Sequence, residues 1–285
     1  MAFVTRFAPS PTGYLHKGHA LSAMTAWQAA KQAGGRFLLR IEDIDATRCK
    51  PEFEAGIQED LAWLGLDWEQ PVRRQSDHLA DYQDALDRLR AMGLLYRCFR
   101  TRREVLDEIG RAPHHAGEGP DGAVFTGGPL PAAEEQALLD QGRSFAWRLS
   151  LSAARERLGA AWNDLSFVEG GEGAVQARPE TAGDVVLARK DVGVAYHLAV
   201  VWDDALQGVT HVIRGRDLFE ATHIQRLLQA LLELPTPTYR HHGLLTGPDG
   251  KRFAKRDRSQ TLRELRAGGM TAQALRSELG FGDPP

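Results

Sequence analysis

Short apolar runs alternate with stretches in which apolar positions recur every three or four residues, and this alternation predicts the architecture. Phe3–Phe7 and Phe37–Ile41 are runs of strand length. The stretches 19–33 and 51–64 have helical spacing, and the second opens on Pro51, a residue tolerated in a helix's first turn. Strands alternating with helices predict βαβ units and a parallel sheet. Further along, Val185–Arg189 and Val209–Arg214 read as strands, and Phe219–Leu232 as a helix. Gly247–Gly250 reads as a turn, and Thr261–Arg266 and Thr271–Leu279 as two short helices. Between these halves, Gly110–Pro131 is rich in Gly, Pro and His and predicts a poorly ordered loop inside an inserted segment. There is no internal repeat and no long hydrophilic linker.

Composition narrows the class only slightly. The 285 residues are 42% hydrophobic and 26% charged, as expected for a globular chain with one large core or two smaller ones. Apolar runs such as Leu198–Trp202 fall far short of the ~20 residues that cross a bilayer, so no membrane span is expected. The opening Met1–Phe7 lacks a secretory layout, which points to a cytoplasmic protein. Cys49 and Cys98 are too few for a disulfide framework and read as free thiols. A formal net charge of −3 argues against coating nucleic acid through overall basicity. Any RNA contact is expected to be local, at Arg97, Arg100, Arg102 and Arg103 or at Lys251, Arg252, Lys255, Arg256 and Arg258, unless these runs are simply solvated surface.

Four segments carry candidate chemistry. The first is Arg6–His19 (RFAPSPTGYLHKGH), a strand followed by a proline-stiffened loop that opens a helix. Such a junction aims backbone N–H groups and a positive helix end at one point, which suits a phosphate. His16 and His19, three apart, share the first turn, and Gly18 leaves room for a planar base. The second is Leu39–Arg48 (LRIEDIDATR), which sets Glu42, Asp43 and Asp45 at a strand's C-terminal end, where α/β proteins hold ligands. Glu42 suits a cationic amino group, while Asp43, Asp45 and Arg48 read equally well as a structural ion-pair network. The third comprises Ala195–Asp204 and Gly208–Leu218; Tyr196 in it is either a core aromatic or a hydroxyl donor. The fourth is Gly250–Arg256 (GKRFAKR).

Taken together, the segments resemble the class I aminoacyl-tRNA synthetases, in the glutamate and glutamine branch. Arg6–His19 is similar to the first signature of that class, Leu39–Arg48 to the branch's RIEDTD-x-x-R element, and the third segment to the stretch that completes the amino-acid pocket. Gly250–Arg256 resembles the second signature, KMSKS, with Lys255 in the critical lysine position. Here Arg252, Ala254 and Arg256 replace the first lysine and both serines, so charge survives and the hydroxyls do not. The resemblance implies that His16, Gly18, His19 and Lys255 handle ATP. It also implies that Arg6, Ala8, Ser10, Glu42, Tyr196 and Arg214 hold L-glutamate. Paired guanidinium groups, permanently charged and able to bind in a bidentate way, are well suited to a side-chain carboxylate.

The implied fold is α/β: a Rossmann-like parallel sheet with an inserted α+β subdomain and a short helical C-terminal segment. Residues 1–95 and 185–240 are expected to be the halves of the catalytic domain and 96–184 the insert. Residues 241–285 are expected to be the second-signature loop and tail. Only 29 residues follow Arg256, so no anticodon-binding domain is expected. The implied activity is that of a truncated glutamyl-tRNA synthetase paralogue: tRNA-independent activation of glutamate with ATP and Mg2+, then transfer to the queuosine base in the anticodon of tRNA(Asp). The alternatives are a truncated glutamyl-tRNA synthetase acting on tRNA(Glu) and a non-catalytic glutamate or nucleotide sensor. Many members of the family carry zinc in the insert. Here Cys98 stands at the first ligand position, Arg100 at the second and Phe125 at the tyrosine, with no third cysteine, so zinc is not expected. Cys98 with His114 and His115 is the remaining metal reading. A monomer is expected.

Overall fold

The computed structural model describes residues 2–101, 104, 118–119, 122–125, 127–189, 193–245 and 260–282. In chain order its strands are β1 (Val4–Phe7), β2 (Arg36–Ile41), β3 (Glu69–Arg74), β4 (Leu95–Cys98), β5 (Glu118–Gly119), β6 (Gly122–Ala123), β7 (Ala146–Leu149), β8 (Ser166–Glu169), β9 (Gly173–Gln176), β10 (Val186–Arg189), β11 (Gly193–Val194), β12 (His211–Gly215) and β13 (Thr238–His242). The α-helices are α1 (Lys17–Gln32), α2 (Pro51–Trp63), α3 (Leu79–Ala91), α4 (Ala132–Asp140), α5 (Leu151–Leu158), α6 (Tyr196–Leu206), α7 (Phe219–Leu231), α8 (Leu262–Ala267) and α9 (Ala272–Glu278). The chain divides into two compact units. One is Met1–Asp77, Gly208–Asp217 and Pro237–Pro285; the other is His78–Gln207 and Leu218–Thr236.

The first unit holds the parallel sheet. β1 runs parallel to β2, β2 to β3, and β12 to β13. Thr210, just before β12, ties that strand to β1: its N–H donates to the Val4 carbonyl at 2.9 Å, and its hydroxyl accepts the Val4 N–H at 2.9 Å. The spatial order is therefore β3-β2-β1-β12-β13, and the sequence order reverses between β1 and β12. Ligands of open α/β sheets bind at such a switch point, beyond the C-terminal ends of the strands.

One face of this sheet is apolar. Phe7, Leu39, Ile41 and Ile213 join one core with Ala20, Ala23, Met24, Ala26, Trp27 and Ala30 of α1. The alanines recur at helical spacing and let α1 lie close to the strands. Leu262, Leu265 and Leu275 enter the same core, so the two short C-terminal helices are part of this unit's packing. α8 begins with a capping box in which Thr261 and Glu264 each bond the other's backbone. The predicted strand and helix limits among the described residues hold to within a residue or two, and the Gly247–Gly250 turn lies outside them; α1 begins at Lys17 rather than His19 because His16 caps it.

Asp60 on α2 is a buried charge in this core. It is 1% exposed, and neither carboxylate oxygen accepts a hydrogen bond from a described residue. Arg266 of α8 stands 3.9 Å away. Burial outweighs that attraction and pushes the carboxyl up to about 6. A carboxyl raised in the folded state contributes stability below its ordinary value near 4 and loses it as pH rises through about 6. Asp60→Asn is therefore expected to stabilise the protein by up to about 3 kcal/mol at neutral pH and by almost nothing near pH 4. Thermal melts at the two pH values check this, and an equal gain at both would contradict it.

The second unit is built around an antiparallel sheet in the order β11-β10-β7-β4. Val186–Arg189, expected in the second half of the parallel sheet, instead pairs antiparallel with β7 and β11. The apolar run alone could not reveal its neighbours. α3, α6 and α7 also belong to this unit, and a buried bond from the Tyr82 hydroxyl to Asp203 at 2.9 Å joins α3 to α6. Of Gly110–Pro131, residues 110–117, 120–121 and 126 lie outside the described residues, and β5 pairs antiparallel with β6 within the rest.

Candidate active site

The loop leaving β1 at the switch point is tied to the loop leaving β2. Pro9 accepts the Glu42 N–H at 3.0 Å, and Pro11 accepts the Lys50 N–H at 3.0 Å. These bonds bring the first signature and the acidic element together. Ala8 is half-buried and Ser10 exposed on this loop.

At the start of α1 the two histidines do the capping. His16 Nδ1 accepts the Gly18 N–H at 3.1 Å, and His19 Nδ1 accepts the His16 N–H at 3.2 Å, with the rings stacked 3.8 Å apart. An accepting Nδ1 puts the ring proton on Nε2, so each imidazole is the Nε2–H tautomer with a donor on its far edge. This corrects the expectation that the backbone N–H groups here are offered to a ligand: the Gly18 N–H is already bonded, and the imidazole edges are the groups suited to an anion. Gly18 also matters to the cap itself, because a Cβ there would lie 2.9 Å from His16 Cε1. A side chain at this position would push the imidazole off its cap.

Strand alternation assigns the arginines. Phe7, Leu39 and Ile213 lie in the core on one face of the sheet, so Arg6, Arg40 and Arg214, one residue removed in β1, β2 and β12, emerge on the other. All three are buried, at 4%, 0% and 5% exposure. Buried guanidinium groups need anions, and Glu42 supplies one, accepting from Arg40 Nη2 at 3.1 Å. Arg214 donates its Nε–H to His241 Nε2 at 3.1 Å.

The other two carboxylates are engaged in local structure. Asp43 accepts from the Ser76 N–H and hydroxyl at 2.9 and 2.6 Å. Asp45 bonds Thr47 and Arg48, whose contacts hold its carboxyl below the usual range. The structural reading of Asp43, Asp45 and Arg48 thus prevails.

Tyr196, half-buried, is the first residue of α6 in the second unit, with its ring 5.4 Å from that of His197. Lys255 and the rest of the second signature lie outside the described residues. The described residues flanking that segment are anchored at α1: Leu262 N–H donates to Leu15 at 2.7 Å, Thr261 bridges His16, and His242 Nε2 lies 2.9 Å from the Ser22 hydroxyl. In the insert, Cys98 is buried against Tyr96 and Phe125, and the guanidinium groups of Arg148 and Arg100 lie 3.9 and 6.0 Å from the Phe125 ring. His114 and His115 lie outside the described residues.

Sequence reasoning missed Arg40 and His241. Arg40 left a signal, a charge inside an apolar strand with the same parity as Glu42. His241 left none, since its role depends on the register of β12 with β13.

Residues 2–281 match the family described as tRNA synthetases class I (E and Q), catalytic domain. The chain is 49% identical to a Rhodobacter capsulatus protein named Glutamyl-Q tRNA(Asp) synthetase, over 98% of this chain and 100% of that one. It is 40% identical to a protein of the same name from Symbiobacterium thermophilum, over 97% and 85% of the two chains. Its fold matches the crystal structure of the glutamate-tRNA synthetase of Elizabethkingia anophelis with a TM-score of 0.77 at 26% identity, covering 98% of this chain and 61% of that one. The chain belongs to the class I aminoacyl-tRNA synthetases of the glutamate and glutamine branch, ligases that use ATP to activate an amino acid.

Proposed function

We propose that the protein activates L-glutamate with ATP, without needing tRNA, and transfers the glutamyl group to the queuosine base in the anticodon of tRNA(Asp). The observation that carries the substrate reading is the placement of Arg6 and Arg214, some two hundred residues apart in sequence, on one face of neighbouring strands at the switch point. The transfer reading is supported by the match to the Rhodobacter protein over that protein's whole length.

In this reading Arg6 and Arg214 grip the side-chain carboxylate and Ala8 and Ser10 line the pocket, while a hydroxyl from Tyr196 is what the family resemblance implies. Glu42, steadied by Arg40, takes the α-ammonium. The α-carboxylate then attacks the α-phosphorus of ATP in line and pyrophosphate leaves, a reaction that needs positioning and charge stabilisation rather than a side-chain nucleophile. The Nε2–H edges of His16 and His19 donate to phosphate oxygens, Gly18 keeps His16 on its cap beside the nucleotide, and Lys255 meets charge on the leaving pyrophosphate. Magnesium, entering with ATP, neutralises phosphate charge. A hydroxyl of the modified base then attacks the adenylate carbonyl, an ester bond forms as the mixed-anhydride bond breaks, AMP leaves and the hydroxyl proton passes to solvent. The protein acts as a cytoplasmic monomer.

The test is glutamate transfer to tRNA(Asp) with and without queuosine, and to tRNA(Glu). Labelling only of queuosine-bearing tRNA(Asp) is expected. Charging of tRNA(Glu) would favour a truncated glutamyl-tRNA synthetase instead, and absence of glutamate-dependent ATP–pyrophosphate exchange would favour a sensor.

A further inference from the structure

We infer that His241 is a positioning residue for Arg214, holding its guanidinium in the orientation that grips the substrate's side-chain carboxylate. The inference rests on the glutamate reading above and deepens it.

β12 and β13 run parallel with Arg214 directly opposite His241 and Val212 opposite Tyr239. Two contacts then fix the Arg214 head. Its Nε–H donates to His241 Nε2 at 3.1 Å, and its guanidinium carbon lies 5.4 Å from the Tyr239 ring centroid. The His241 ring is parallel to that of Tyr239, at an interplanar angle of 1°. An accepting Nε2 requires the neutral imidazole with its proton on Nδ1. The bond restrains the head of a group whose stem has several rotatable torsions.

A guanidinium can take a carboxylate through its side edge, Nε with one Nη, or through its end, the two Nη groups. With Nε committed to His241, the side edge is not the one offered to the substrate. Preorganisation matters here because an arginine that must be ordered at each binding event loses affinity to the entropy of ordering it. A glutamine in place of His241 can present its amide oxygen where Nε2 stood, whereas phenylalanine keeps the flat ring beside Tyr239 and removes the acceptor.

The experiment measures glutamate-dependent ATP–pyrophosphate exchange for His241→Phe, His241→Gln, Arg214→Ala and the double variant Arg214→Ala/His241→Phe, with melting temperatures as a check on folding. His241→Phe is expected to raise the glutamate KM roughly tenfold, the scale of a hydrogen bond to a charged group. The ATP KM and the rate at saturating glutamate should stay within about twofold of the parent, and His241→Gln should recover most of the loss. In the Arg214→Ala background the phenylalanine should add nothing. An unchanged glutamate KM in His241→Phe overturns the inference, as do equal rises in both KM values, a glutamine variant as impaired as phenylalanine, or additive losses in the double variant. If Arg214→Ala itself leaves the glutamate KM unchanged, the glutamate reading falls first; if Arg214→Ala is impaired and His241→Phe is not, only the positioning role falls.

Discussion

Arg214→Ala is expected to raise the glutamate KM by roughly two to three orders of magnitude, the cost of depriving a buried carboxylate of one of its two guanidinium partners. The expectation follows from burial. At 5% exposure, the Arg214 site cannot admit much water to solvate the substrate's charge once the guanidinium is gone. Arg214→Lys should recover part of the loss, because a lysine restores charge but not the planar fork. Initial rates of ATP–pyrophosphate exchange across a wide glutamate range check this. A KM within threefold of the parent would remove Arg214 from the pocket.

Lys255→Ala is expected to slow adenylate formation by roughly a hundredfold or more while leaving glutamate affinity nearly unchanged. Its contact is proposed for the charge that develops as pyrophosphate departs, and groups of that kind typically contribute 10²–10³ in rate. The second signature has lost both serine hydroxyls in this chain, since Ala254 and Arg256 stand in their places. In the proposed reading Lys255 is the group that meets the leaving pyrophosphate, with Lys251, Arg252 and Arg256 as the remaining basic groups in Gly250–Arg256. Single-turnover rates of adenylate formation, set beside glutamate affinity from equilibrium titration, separate the two effects. Equal losses in rate and affinity would count against a transition-state role.

The two predictions draw on different sources. That for Lys255 comes from a contiguous motif, legible without coordinates. That for Arg214 draws on a motif and on strand parity: only when Ile213 is seen in the core beside Phe7 and Leu39 does Arg214 fall on the same face as Arg6 and Arg40. The carboxylate cluster shows the same division. Glu42, Asp43 and Asp45 lie within four positions of one another, yet only the structure separates Glu42, held by Arg40, from Asp43, which is bonded to Ser76. Side-chain direction at a strand's end depends on where the chain turns, and the turn is set by contacts with residues some thirty positions away.

By itself, the sequence determined the elements near the first signature, the parallel βαβ character of the N-terminal segment and the motifs of a class I synthetase. Local periodicity, a proline at a helix start and contiguous chemistry are all properties of neighbours along the chain. The tertiary structure decided which sheet Val186–Arg189 joins, that His16 and His19 cap α1 through their own rings, and that Arg214 donates a hydrogen bond to His241. Those outcomes depend on strand order and register, which arise from the pairing of residues far apart in sequence and leave no trace in local hydrophobic spacing.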